Sequence, residues 1–286
     1  MSYKTIVVHV AGDHRVDTRI EVAAQLALKF GAHLVGVHAM PLPQHRHAVR
    51  AELMVDLLAH ERELRHKAAA VLAEKFEAIT AAAGVQSREW RATDIDPVEA
   101  LSLSSRYADL LVLSQSDPNE QPQLDSVSVP DMIAEQAGRP TLIIPFAGRF
   151  PTVGSRVLVA WNASREAARA VADARPFLKS ASAVTLMCVN VQAHNAPWIT
   201  AAGTHGALPG TDCALYLARH GVKVDVSNDT GVEIDTGNYI LSRATDLASD
   251  LIVMGAYGHS RMRELILGGV TQTILEHMTV PVLLSH

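Results

Sequence analysis

Two stretches of the chain, 141 positions apart, carry the same pattern. Ala108-Asp109-Leu110-Leu111-Val112-Leu113 in the first half is answered by Ser249-Asp250-Leu251-Ile252-Val253-Met254 in the second. At the same offset, Arg139-Pro140-Thr141-Leu142-Ile143-Ile144 is answered by Val280-Pro281-Val282-Leu283-Leu284. Near the starts of the halves, residues 3–10 are answered by residues 155–161 at an offset of 152, so the first half is about ten residues longer in its middle. Self-similarity of this kind means one architecture used twice, and it must be recognised before any local reading.

Each half alternates short β-branched apolar runs with stretches of helical period, the pattern of βαβ units around a parallel sheet. The first half predicts strands near 4–10, 33–39, 85–91, 109–114 and 140–144, with helices near 16–30, 48–83, 96–107 and 128–137. The second half predicts strands near 156–161, 183–189, 222–227, 250–255 and 280–284, with helices near 164–179, 210–220, 235–248 and 269–278. The long second helix shows an apolar stripe through Leu53, Leu57, Leu64, Ala68, Val71, Leu72, Phe76 and Ile79, and Gly84 is its expected stop. Ser164 reads as an N-cap. Residues 145–154, with Pro at both 145 and 151, read as a linker between domains spanning 1–147 and 154–286. Residues 192–211, rich in Ala, Gly, Pro and His, read as a flexible loop over the second domain.

Of 286 residues, 48% are hydrophobic and 19% charged, and the net charge is -5. That balance offers no electrostatic reason to bind nucleic acid or an anionic membrane. No stretch approaches the roughly 18 consecutive apolar residues of a membrane span. The first apolar run ends at Asp13 and His14, too soon for a secretory signal. Cys188 and Cys213 make no disulfide framework, so a reducing cytoplasm is expected.

The stretch MGAYGHSRMRELILGGV, residues 254–270, carries the chemistry. An apolar run empties into Gly255, Gly258 follows, and Gly268 and Gly269 precede a helical pattern. Glycines let backbone N–H groups approach an anion, and a helix N-terminus adds a favourable dipole. The stretch has neither G-x-x-x-x-G-K-[ST] nor G-x-G-x-x-G, so it is neither a P-loop nor a dinucleotide fingerprint. Its spacing resembles the nucleotide-binding signature of the universal stress protein family. A small hydroxyl residue usually follows the last glycine there. Here Gly269 takes that place, and Thr271 is the first hydroxyl.

The resemblance covers nearly the whole chain as a tandem pair. It implies two doubly wound α/β domains, each with a five-stranded parallel sheet of order 3-2-1-4-5 and helices on both faces. In such a sheet the ligand crevice lies outside the carboxyl ends of strands 1 and 4. The family places an Asp after strand 1 against the adenosine; Asn162 stands there in this chain, and it also suits the turn into the helix at Ser164. By the same resemblance Val189 lines the adenine pocket and Met254 supplies apolar contact. Gly255 and Gly258 shape the phosphate turn. Gly268, Gly269 and Val270 offer N–H groups, and Thr271 offers a hydroxyl. The expected guest is ATP or another adenine nucleotide, with Mg²⁺. His259, Arg261 and Arg263 lie in the loop between the glycine pairs, where a cation could neutralise a phosphate.

The first half departs from this pattern. Ala11 replaces the acid, Ser114 and Asp117 replace the first glycines, and Val127 and Ser128 replace the last. Asp117 and Glu120 bring like charge to a phosphate, and Pro118 removes a donor. The first domain is therefore expected to be an intramolecular partner rather than a nucleotide site. Residues 141–144 and 280–284 are the expected pairing edges, and a homodimer is a further expected assembly.

Fourteen histidines, densest at His45, His47, His60 and His66, show no metal-ligand spacing. No G-x-S-x-G elbow or Ser/His/Asp order is present. Asp94, Asp96, Glu233 and Asp235 precede helices in both halves and read as capping groups. The expected function is a tandem universal stress protein, an adenine-nucleotide-binding regulator with at most weak ATPase activity. The alternatives are a scaffold of the same fold that binds no nucleotide, and a slow ATP hydrolase.

Overall fold

The computed structural model describes residues 2–40, 51–117, 129–190, 210–256 and 269–286, with side chains of 51–58 and 61 outside the description. By its contacts the chain divides into two compact units, Tyr3–Val112 and Leu113–His286.

The first unit contains β1 (Thr5–His9), α1 (Val16–Phe30), β2 (His33–Ala39), α2 (Ala51–Ala83), β3 (Arg88–Thr93), α3 (Pro97–Ser105) and the start of β4 (Leu110–Ser114). Its strands are parallel in the order β3-β2-β1-β4, with Val7 opposite both Val35 and Leu111. This is the expected order as far as the fourth strand. Val7, Leu110, Leu111 and Val112 are at most 1% exposed. Apolar strands hidden on both faces are what a parallel sheet under helices requires. Each such side chain contributes about 1.5–3 kcal/mol relative to exposure.

The second unit continues from the end of β4 through α4 (Val129–Gln136), β5 (Thr141–Ile144), β6 (Arg156–Ala160), α5 (Arg165–Asp173), α6 (Arg175–Ser180) and β7 (Ala183–Val189). It closes with α7 (Thr211–Arg219), β8 (Asp225–Asp229), α8 (Thr236–Asp246), β9 (Leu251–Gly255), α9 (Gly269–His277) and β10 (Val282–Ser285). The strand order is β5-β10-β9-β6-β7-β8. Within it β6 to β10 reproduce the expected 3-2-1-4-5 arrangement with every neighbour parallel. β5 pairs antiparallel with β10, Leu142 opposite Leu283. The backbone N–H of Gln115, just past β4, donates to Ile144 O. On β9, Ile252 and Met254 join the apolar cluster of α8 and α9, while α5 packs on the strand as well.

Duplication extends to details of hydrogen bonding. The Asp109 carboxylate accepts from Lys4 N–H and Thr5 N–H; the Asp250 carboxylate accepts from Ser155 N–H and Arg156 N–H. Each aspartate satisfies the first donors of its half's opening strand. Asp96 and Asp235 are N-caps of α3 and α8, accepting from Val98 N–H and Asn238 N–H. These bonds set the true offset between opening strands at 151 residues, one less than the apolar runs imply.

Several boundaries differ from expectation. The edge strands begin three residues later than the apolar residues Val85 and Val222. Gly84 and Gly221 take positive φ, and the following valines donate back to Thr80 O and Leu217 O. These are Schellman closures whose apolar residue belongs to the helix end. The expected helix over 164–179 is two, α5 and α6, because Pro176 cannot donate to a continuing helix. The buried stripe of α2 runs through Ala69, Leu72, Phe76 and Thr80, whereas Leu64 and Val71 are more than half exposed.

Candidate functional site

Strand β6 ends at Ala160 and diverges from β9, the topological place where doubly wound sheets open a crevice. The turn that follows is tightly specified. Asn162 Oδ1 accepts the Ser164 N–H at 3.1 Å, Ala163 takes φ 59°, and Ser164 Oγ accepts the Ala167 N–H at 3.1 Å. An Asx turn therefore hands over directly to an N-cap. The left-handed Ala163 costs about 1 kcal/mol and holds Asn162 at the mouth.

Gly255 ends β9 against this turn. A Cβ on it would lie 2.6 Å from both Ala167 N and Glu166 C, backbone atoms of the first turn of α5. Only glycine lets the strand end and helix start approach so closely. Glu166, 3% exposed, sits over this contact. Burial alone would push its carboxyl up. The hydrogen bond and charge of Arg165, with the Ser164 hydroxyl, outweigh burial and hold it below the ordinary value. Its negative charge suits the helix N-terminus.

A cavity of about 290 Å³ opens at the carboxyl ends of β6, β7 and β9. Its apolar wall is Ala160, Met187, Val189, Ile240, Met254 and Val270; its polar lining is Trp161, Asn162, Ser164, Thr236 and Thr271, with Gly255 and Gly269. No charged side chain is among these. The first residues of α8 and α9 and the N-cap of α5 all face it, so its electrostatic character is that of helix N-termini, favourable to an anion. A Cβ on Gly269 would meet nothing within 4 Å, in contrast to Gly255.

Of the residues singled out from sequence, Asn162, Val189, Met254, Gly255, Gly269, Val270 and Thr271 all line this one cavity. Gly258, Gly268, His259, Arg261 and Arg263 lie outside the described residues, as do His45, His47, Val127, Ser128 and most of the 192–211 loop. Sequence reasoning did not assign Trp161, Met187, Thr236 or Ile240 to the site. Thr236 was reachable: it follows the Asp235 cap, and the N-terminus of α8 points to the same end of the sheet as that of α9.

In the first half the equivalent turn is closed from within. Arg19, 1% exposed, donates from Nε to His9 O at 2.5 Å and from its terminal nitrogens to Asp13 and Ala11 O. Burial raises the Asp13 carboxyl, but the Arg19 charge and hydrogen bonds outweigh this and hold it below its usual value. Burial and the Arg19 charge push His9 down to about 3.

Cys188 and Cys213 are buried free thiols, each pushed up to about 12 mainly by burial, and so are poor nucleophiles. Among the described residues no group of three or more His, Cys, Asp or Glu forms a metal position. No helix among them is long and apolar enough to cross a membrane.

The universal stress protein family matches residues 155–286. A universal stress protein of Synechocystis sp. is 50% identical over 38 residues, 13% of this chain and 13% of that protein. A universal stress protein from Archaeoglobus fulgidus superposes with a TM-score of 0.70 at 17% identity, covering 98% of this chain and 95% of its own. A functionally unknown protein from Pseudomonas aeruginosa gives a TM-score of 0.59 at 15% identity, covering 99% of this chain and 92% of its own. Residues 155–286 belong to the universal stress protein family, and the chain carries that family's fold across both of its halves.

Proposed function

We propose that this protein is an adenine-nucleotide-binding regulator of the universal stress protein type, with its site in a C-terminal domain spanning 154–286. The carrying observation is convergence. Seven residues chosen from sequence, standing on β7, β9, α9 and the β6–α5 turn, line one cavity. Its volume of about 290 Å³ lies just below the range for small-molecule sites, about 300–1,000 Å³. The apolar wall suits a heterocycle and the α9 N-terminus suits phosphate. No carboxylate is among the described lining residues, so Mg²⁺ would arrive with ATP and be held by its phosphates. For the same reason hydrolysis would be slow, with no described side chain to activate water.

The domain spanning 1–147 serves as a partner within the chain, with β5 and β10 as the paired edges and a homodimer as a further assembly. The expected location is the cytoplasm.

Two observations favour the second reading, a scaffold that binds no nucleotide. Gly255 has a packing reason to be glycine, and Asn162 has a turn to close. The readings separate on one measurement. The nucleotide reading expects an adenine nucleotide by mass in denatured, freshly purified protein. It also expects ATP at 100 times its dissociation constant to stabilise the fold by about 2.7 kcal/mol. No released nucleotide and no thermal shift at millimolar ATP would overturn the nucleotide reading and favour the scaffold.

A further inference from the structure

Asn162 differs from a carboxylate in a way the turn geometry makes decisive. A backbone N–H can only donate, so the atom that meets Ser164 N at 3.1 Å is the amide oxygen. The other face of the side chain is then Nδ2, two donors and no acceptor. The side chain is exposed at the cavity mouth and lines the cavity. It stands in the turn after β6, the strand that lies between β7 and the glycine-bearing β9. For a nucleotide with its base against Val189 and its phosphates toward Gly269, that is the sugar. The neighbouring Ser164 Oγ is buried and already accepts from Ala167 N–H at 3.1 Å.

We infer that Asn162 is a specificity residue that presents an uncharged donor, Nδ2, to the sugar, and that the site admits adenine nucleotides bearing an anionic oxygen on the sugar edge. This rests on the nucleotide reading above. A sugar hydroxyl can accept from Nδ2, and so can a phosphate oxygen. A carboxylate at the same position would accept from a hydroxyl and repel a phosphate.

Asn162→Asp isolates the effect, because an Asp oxygen closes the same turn onto Ser164 N–H. An unchanged thermal midpoint of the variant checks that it folds. Binding of adenosine 5′-monophosphate and adenosine 3′,5′-bisphosphate to the full chain is measured by calorimetry. The wild type is expected to bind the two within a few-fold. The Asp variant is expected to keep the monophosphate and weaken the bisphosphate by about tenfold or more, a gap that narrows as salt screens the repulsion. The inference is overturned if the ratio of the two affinities is the same in both proteins, or if the wild type already rejects the bisphosphate. If neither protein binds either nucleotide, the nucleotide reading itself fails and takes the inference with it.

Discussion

The exits of β1 and β6 are the same place in a duplicated fold, and they are built in opposite ways. After β1 the turn is tied by a buried cation: Arg19 reaches His9 O, Ala11 O and Asp13. After β6 the turn is tied by short polar side chains, Asn162 onto Ser164 and Ser164 onto Ala167, and a cavity lies beside it. One half stabilises its turn with an internal ion pair. The other uses neutral caps and leaves donors facing a space. Duplication thus preserves the strand-opening aspartates and the helix caps, which every copy of the fold needs, and lets the switch point diverge.

The largest test of this contrast is Arg19→Met. It removes the cation from a buried pair, leaves Asp13 with only the Arg15 N–H bond, and takes the guanidinium donors from His9 O and Ala11 O. The expected loss is about 3 kcal/mol, discounted for the partly exposed Asp13, read as a lower urea midpoint at unchanged slope. An unchanged midpoint would show that the first turn does not depend on its ion pair.

Next come the two cavity-lining glycines. Gly255→Ala drives a Cβ into the backbone of α5 and is expected to cost about 2 kcal/mol. Gly269→Ser enters open space, is expected to leave stability within about 0.5 kcal/mol, and adds a hydroxyl beside the cavity. Calorimetric unfolding of both variants measures the difference. Equal destabilisation would contradict the geometry at β9 and α9.

Acid should act through the first half. His9 titrates near its ordinary value when unfolded and is pushed down to about 3 when folded. Between roughly pH 6.5 and 3 the unfolded chain therefore binds a proton that the native chain refuses. Stability falls as pH falls through that window, by at most about 1.4 kcal/mol per pH unit. Asp13, held low in the fold, loses its contribution as pH drops through its own folded value, in the same direction. His9→Asn should flatten the slope of stability against pH between 6.5 and 4.5. A slope identical to wild type would remove His9 from the account.

The smallest effect belongs to the second turn. Ala163→Gly relieves a left-handed alanine and should raise stability by about 0.5–1 kcal/mol while loosening Asn162. A higher thermal midpoint with weaker nucleotide affinity would show that strain at Ala163 serves to hold the amide in place.

Much of this was legible in the chain before any coordinates. The strands announced themselves because parallel strands are buried on both faces and read as unbroken Val, Ile and Leu. The caps at Ser164, Asp96 and Asp235 were legible because capping is local. The edge strands were misplaced because their own residues are polar and the nearby valines belong to helix closures. The α2 stripe was misjudged at Leu64 and Val71 because a sequence period cannot say which of two adjacent stripes meets the sheet. At the candidate site, glycine spacing marked the end of β9, yet it could not show that Gly255 is required by the backbone of α5 whereas a Cβ on Gly269 meets nothing.

By itself the sequence determined the duplication and the α/β class, because periodicity and apolar patterning are properties of neighbours along the chain. Only tertiary structure decided that Arg19 folds back onto the carbonyls of His9 and Ala11, that Thr236 and Met187 share a cavity with Val270, and that the Asn162 oxygen is already engaged. Those outcomes depend on which distant backbone groups come within hydrogen-bonding or van der Waals reach, and local pattern carries no record of that.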